Sequence, residues 1–110
     1  MKNILLVCSY NKWRSPTGEE VWRRTPNVSV RSVGTSPKAK RTVNAKDIQW
    51  ADLIFAMEQK HKKQLTTEFS SFLKSKNIVV LDIPDEYKYM DEELVDIFKE
   101  SVSCYLQKEK

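Results

Sequence analysis

At 110 residues the chain is long enough for one domain and little else. Its two glycines, Gly18 and Gly34, stand sixteen positions apart, so neither a GxGxxG nor a GxxxxGKS/T nucleotide loop can be written, and a flexible low-complexity chain or a propeller is excluded. With 40% hydrophobic and 31% charged residues and a net charge of +4, the composition is that of an ordinary globular domain that favours an anionic partner.

The first predicted element is a buried strand over 3–8, where Ile4, Leu5, Leu6 and Val7 are consecutive and apolar. A helix opens at Ser15-Pro16, with serine as N-cap and proline at the first helical position. Alternation over 28–33 predicts a second strand, 43–50 a short helix, and 53–56 a third strand. Helical segments follow over 58–65 and 69–74, with a break expected at Thr66-Thr67, and then a fourth strand over 78–81. A loop rich in Asp and Tyr covers 82–90. The last helix runs from Asp91 to about Leu106, with Leu94, Val95, Phe98, Val102, Tyr105 and Leu106 on one face and Asp91, Glu92 and Glu93 at its positive end. This βαβ alternation implies an α/β domain spanning 1–110: a four-stranded parallel sheet with helices on both faces. Ligands of such sheets lie beyond the carboxyl ends of the strands, so the loops to inspect follow Val7, Val33, Ala56 and Leu81.

The loop after the first strand carries the densest chemistry: Cys8-Ser9-Tyr10-Asn11-Lys12-Trp13-Arg14-Ser15-Pro16. Backbone N–H groups converging in a tight loop, together with a helix N-terminus, bind anions. Arg14 has a planar fork that fits two phosphate oxygens. The same positive field favours a thiolate at Cys8, a nucleophile aimed at phosphorus. Ser15 is placed to donate a hydrogen bond to that sulfur when it leaves. Ser9, Tyr10, Asn11, Lys12, Trp13, Arg14 and Ser15 thus form a candidate phosphate-binding loop around catalytic Cys8 and Arg14. Asn11 tolerates left-handed backbone and can shape the turn in a loop without glycine. Tyr10 and Trp13 either wall the entrance and stack on an aromatic leaving group or pack into the core. Lys12 is either a phosphate-side charge or a solvated loop residue.

These residues resemble the low-molecular-weight protein tyrosine phosphatase family, whose members begin with a strand, Val-Cys, the phosphate loop and Arg-Ser-Pro. The likeness extends to Ser32-Val33-Gly34-Thr35, to Ala51–Met57, and to Ile83-Pro84-Asp85-Glu86-Tyr87 at the place of the family's Asp-Pro-Tyr loop. It implies strand order 2-1-3-4, cysteine-dependent phosphomonoester hydrolysis, a phosphorylated protein or small aryl phosphate as substrate, and no metal or organic cofactor. The chain departs from the family at Tyr10, where glycine is usual, at Trp13, where a second cysteine is common, and in a contracted stretch between Thr35 and Asp47.

A phenol has a pKa near 10, so a carboxylic acid beside the leaving oxygen speeds its departure. The resemblance assigns that acid to Asp85, with Tyr87 as a substrate wall beside Tyr10. Asp82, on the strand end, is the competitor. Asp91 reads as a helix cap, Glu86 as surface charge, and Tyr89 as a second wall candidate. His61, amid Lys60, Lys62 and Lys63, reads as a solvated face residue, and Trp22 and Trp50 read as core. Cys8, Cys104 and His61 lack zinc-ligand spacing. The apolar start is too short for a secretory or membrane segment, so the expectation is a reduced cytoplasm, free thiols and no membrane contact. Cys104 reads as a buried or half-buried helix residue with no partner for a disulfide relay. Alternative readings are a phosphate- or phosphopeptide-binding module without turnover, a sugar-transport phosphocarrier, and a nucleic-acid binder, for which no motif is visible.

Overall fold

The computed structural model describes residues 2–23, 25–73 and 76–108, with side chains to position 101. The chain order is β1 (Lys2–Cys8), α1 (Arg14–Trp22), β2 (Val28–Gly34), α2 (Ala45–Trp50), β3 (Leu53–Ala56), α3 (Gln59–Glu68), β4 (Ile78–Val80) and α4 (Glu92–Lys108). All strand pairs are parallel, in the order β2-β1-β3-β4, with Ile4 opposite Val30 on one side and Leu53 on the other. This is the sheet expected from the sequence.

The consecutive apolar residues of β1 follow from its central place, where alternate side chains serve two cores. Ile4, Leu6 and Cys8 join Trp22, Leu94 and Phe98 on the α1–α4 face. Leu5 and Val7 join Ile48 and Leu65 on the α2–α3 face. Gly18 lets α1 approach closely, since a Cβ there would stand 2.6 Å from Leu6 Cδ1 and 2.8 Å from Phe98 Cε1.

Three local expectations are corrected. Helix α1 starts at Arg14 with Trp13 at its cap, and Ser15 lies inside the first turn because its hydroxyl is drawn to Cys8 and Val33. Helix α3 runs through Thr66-Thr67, where the Thr66 hydroxyl donates to the Lys62 carbonyl at 2.8 Å and so competes with nothing outside the helix. The second helical segment is only a 3-10 turn, Ser70–Phe72. Trp22 is buried as expected, and Trp50 is half-buried beneath the Arg31 guanidinium, 4.1 Å from the ring centroid. Asp91 does cap α4, accepting from the Glu93 N–H at 2.9 Å.

Helix α2 is held by contacts that its six residues do not advertise. Asn44 and Asp47 form a reciprocal capping box. At the other end, the Lys76 ammonium donates to the carbonyls of Ile48, Gln49 and Ala51 at 2.5, 2.9 and 2.7 Å, complementing the negative end of the helix. Expectations for the side chains of Val102, Cys104, Tyr105 and Leu106 lie outside the described side chains. Among the described residues, no helix is long and apolar enough to cross a membrane.

Candidate active site

Cys8 ends β1 with 2% of its surface exposed, and its Sγ lies 3.0 Å from Ser15 Oγ. Asn11 Nδ2 donates to that same oxygen at 3.0 Å and to Ser32 Oγ at 2.9 Å. Ser15 therefore accepts from Asn11 and keeps its own proton for the sulfur or for the Val33 carbonyl, 3.3 Å away.

The turn is made without glycine. Asn11 has φ 53° and is the only left-handed residue of the loop, while neither glycine of the chain has positive φ. Tyr10 is not left-handed, and its side chain is 54% exposed, so a glycine is not needed there. A second strap comes from the segment after β2. Thr35, Ser36 and Lys40 donate their N–H groups to the carbonyls of Cys8, Ser9 and Tyr10 at 2.9, 2.9 and 3.1 Å. Gly34 makes this approach possible, because a Cβ there would stand 2.5 Å from the Ser9 carbonyl oxygen.

Arg14 is buried at the start of α1. Its Nη1 donates to Glu58 Oε2 at 2.5 Å and to the Ile83 carbonyl at 2.8 Å, and its Nε lies 3.8 Å from Asp85 Oδ1. Three chain ends, after β1, β3 and β4, thus meet at one guanidinium. Burial works to raise the Glu58 carboxyl, but the hydrogen bond and charge of Arg14 overcome it and hold that carboxyl below its ordinary range.

His61 is fully buried, contrary to the expectation of a solvated residue. Its helix turns it inward, away from its lysine neighbours. Its Nδ1 accepts from the Glu58 N–H at 3.1 Å, which leaves the proton of the neutral ring on Nε2, 2.8 Å from Ser9 Oγ. Burial, reinforced by the Arg14 charge, pushes the His61 pKa down to about 4 and keeps the ring neutral. Ser9 accepts from it and retains its own proton. Sequence reasoning missed both Glu58 and His61. The usable signal was their spacing of three on a helix opening at the carboxyl end of β3, where ligands of such sheets lie.

Above Cys8 opens a cavity of about 580 Å³. It brings together Cys8, Arg14 and Asp85, with Ser9, Tyr10, Lys12 and Trp13 from the same loop and Lys38 and Lys40 from the strap. Lys12 Nζ stands over the Trp13 ring, 5.0 Å from its centroid. Asn11 and Ser15 lie beneath the loop as its support. Asp82 lines a different depression, with Glu58 and Pro84. Tyr87 is half-buried against the core cluster that contains Ile83 and is not part of the cavity lining, and Tyr89 lies by another depression, with Glu19 and Arg41. After the exposed turn at 84–86, Tyr87 recovers burial against the core.

No family model matches the sequence, and no curated protein sequence does. Solved structures do match over nearly the whole chain. The YwlE arginine phosphatase of Geobacillus stearothermophilus is 21% identical, with a TM-score of 0.77 over 99% of this chain and 95% of that one. Wzb of Vibrio vulnificus, solved with benzylphosphonate, is 23% identical, with a TM-score of 0.77 over 97% and 98%. The low-molecular-weight protein tyrosine phosphatase of Streptococcus pyogenes is 20% identical, with a TM-score of 0.78 over 98% and 93%. The chain has the fold of these phosphatases.

Proposed function

We propose that this chain is a divergent low-molecular-weight phosphatase that hydrolyses aryl phosphomonoesters, such as protein phosphotyrosine, through a phosphocysteine on Cys8. The observation that carries the reading is the convergence of Cys8, Arg14 and Asp85 on one cavity, with Ser15 Oγ 3.0 Å from the sulfur. The shared fold with tyrosine and arginine phosphatases supports it.

The Cys8 thiolate attacks phosphorus as the bond to the leaving oxygen breaks, and Asp85 supplies the proton that this oxygen needs. Water then gives a proton to the Asp85 carboxylate and attacks the phosphocysteine. The P–S bond breaks, inorganic phosphate departs, and the Ser15 hydroxyl stabilises the returning thiolate. Glu58 and the Ile83 carbonyl fix one arm of Arg14. The rest of its fork and the N–H groups of the Cys8 loop hold the phosphoryl oxygens. The Ser9 hydroxyl, accepting from His61, is left to donate toward the same oxygens. Tyr10 and Trp13 offer aromatic surface to the leaving group. No step calls for a metal or organic cofactor, and a reducing cytoplasm keeps Cys8 a free thiol.

The test is turnover of p-nitrophenyl phosphate, phosphotyrosine, phosphoserine and phosphoarginine by wild type and Cys8→Ser. Aryl phosphates are expected to be the preferred substrates, with activity abolished in the variant. Turnover that survives Cys8→Ser refutes the mechanism. Preference for phosphoarginine refutes the substrate class. Vanadate or phosphopeptide binding without any hydrolysis by wild type supports the alternative of a binding module on the same fold.

A further inference from the structure

The cavity over Cys8 holds more positive charge than a phosphoryl group requires. Lys12, Arg14, Lys38 and Lys40 line it against a single carboxylate, Asp85. Arg14 is paired with Glu58, and Arg31, Arg41 and Lys60 elsewhere each face a carboxylate. No described carboxylate lies within ion-pair distance of Lys12, Lys38 or Lys40, and all three are exposed.

Two of these charges sit on a built support. Lys38 and Lys40 flank Ala39, which packs toward Gly34, where a glycine Cβ would stand 2.7 Å from Ala39 Cβ. The Lys40 N–H bonds the Tyr10 carbonyl at 3.1 Å, and Thr35 and Ser36 bond the two preceding carbonyls. The strap that shapes the loop thus also holds two ammonium groups at the rim.

The charge is also local. Three other depressions contain acidic residues: Glu19 and Glu20 in one, which shares Lys40 with the cavity, Glu58 and Asp82 in another, and Glu68 in a third, which shares Ser9 and Tyr10. A polynucleotide track needs a continuous basic groove, which these carboxylates interrupt. A few carboxylates next to the reacting phosphate fit the rim.

We propose that the substrate is a phosphotyrosyl peptide with acidic residues flanking the phosphotyrosine, selected by Lys38 and Lys40. This rests on the phosphatase reading above and deepens it. Arg14 and the loop take the phosphoryl group, and the two rim lysines take the flanking carboxylates.

The experiment compares phosphotyrosyl peptides flanked by Glu, Gln or Lys, at low and high salt, with wild type and Lys38→Gln/Lys40→Gln. Two screened charge pairs predict that wild type favours the Glu-flanked over the Lys-flanked peptide by about 10-fold in kcat/KM at low salt. The preference shrinks with added salt and collapses in the double variant. Equal use of the three peptides by wild type overturns the proposal. So does a preference that persists in the double variant, or a nucleoside monophosphate that outcompetes every peptide. Peptide affinities measured by calorimetry on Cys8→Ser carry the same comparison without turnover. Loss of p-nitrophenyl phosphate hydrolysis in wild type with Glu-selective binding intact therefore sinks the catalytic reading and leaves the selectivity standing.

Discussion

Segments 8–15 and 82–90 both cap the carboxyl end of the sheet, and they are built in opposite ways. In the first, Cys8, Asn11, Arg14 and Ser15 are each at most 6% exposed, and polar atoms of Ser9, Asn11 and Arg14 reach partners on α3, on β2 and after β4. In the second, only Ile83 is buried, the backbone is left-handed at Asp82 and Met90, and Asp85 meets the site through a 3.8 Å approach to Arg14. On the proposed reading, the anion cradle is therefore fixed by packing before any ligand arrives, whereas the proposed acid, Asp85, is presented on an exposed turn. Substitutions in the cradle should cost stability and activity together. Those in the acidic turn should cost activity alone.

The largest expected effect tests the second half of that contrast. Asp85→Asn should slow aryl phosphate turnover by roughly 10²–10³-fold while leaving thermal stability and vanadate affinity nearly unchanged. Asp82→Asn should do little, and the reverse pattern would move the acid to Asp82. In the cradle, Asn11→Ala loses two buried hydrogen bonds and places a Cβ-bearing residue without local bonding at φ 53°. Chemical denaturation should read a loss of roughly 3 kcal/mol, accompanied by a fall in kcat/KM. Asn11→Gly relieves the backbone part and should lose about 1 kcal/mol less.

Acid titration probes the same region. The His61 side chain titrates near 6.5 when free and at about 4 when folded. Between those values the unfolded chain holds the extra proton. The contribution of His61 is therefore full above pH 6.5 and is lost as pH falls toward 4, by roughly 2–3 kcal/mol. Stability measured across that window should flatten in His61→Asn, and an unchanged slope would contradict the buried neutral ring. The smallest effect belongs to Tyr10. Tyr10→Ala should change stability by less than about 0.5 kcal/mol, because the position is exposed and is not left-handed, with any loss confined to KM for aryl substrates.

The sheet was legible because its signals are local. Ile4–Val7, Leu53–Ala56 and the alternation leading to Val33 each report burial through residue type alone. Cys8, Arg14 and Ser15 were legible too, since strand end, loop and helix start place them within one short segment. His61 was misread because the five flanking lysines and glutamines, Gln59, Lys60, Lys62, Lys63 and Gln64, describe the exposed side of α3, not the one turn that faces Ser9. Lys76 was equally silent, since its three carbonyl partners lie 25–28 positions away.

The sequence by itself determined the parallel α/β sheet and marked the Cys8–Ser15 segment as the candidate site, both of which depend on neighbours within a few residues. The tertiary structure decided what completes that segment. Asn11 alone bends it, backbone bonds from the segment after β2 hold its carbonyls, Glu58 takes one arm of Arg14, and His61 sets the Ser9 proton. Those partners arrive from β2 and β3 only because the parallel register brings the carboxyl ends of three strands together. No local pattern in a chain records which distant side chain will be opposite.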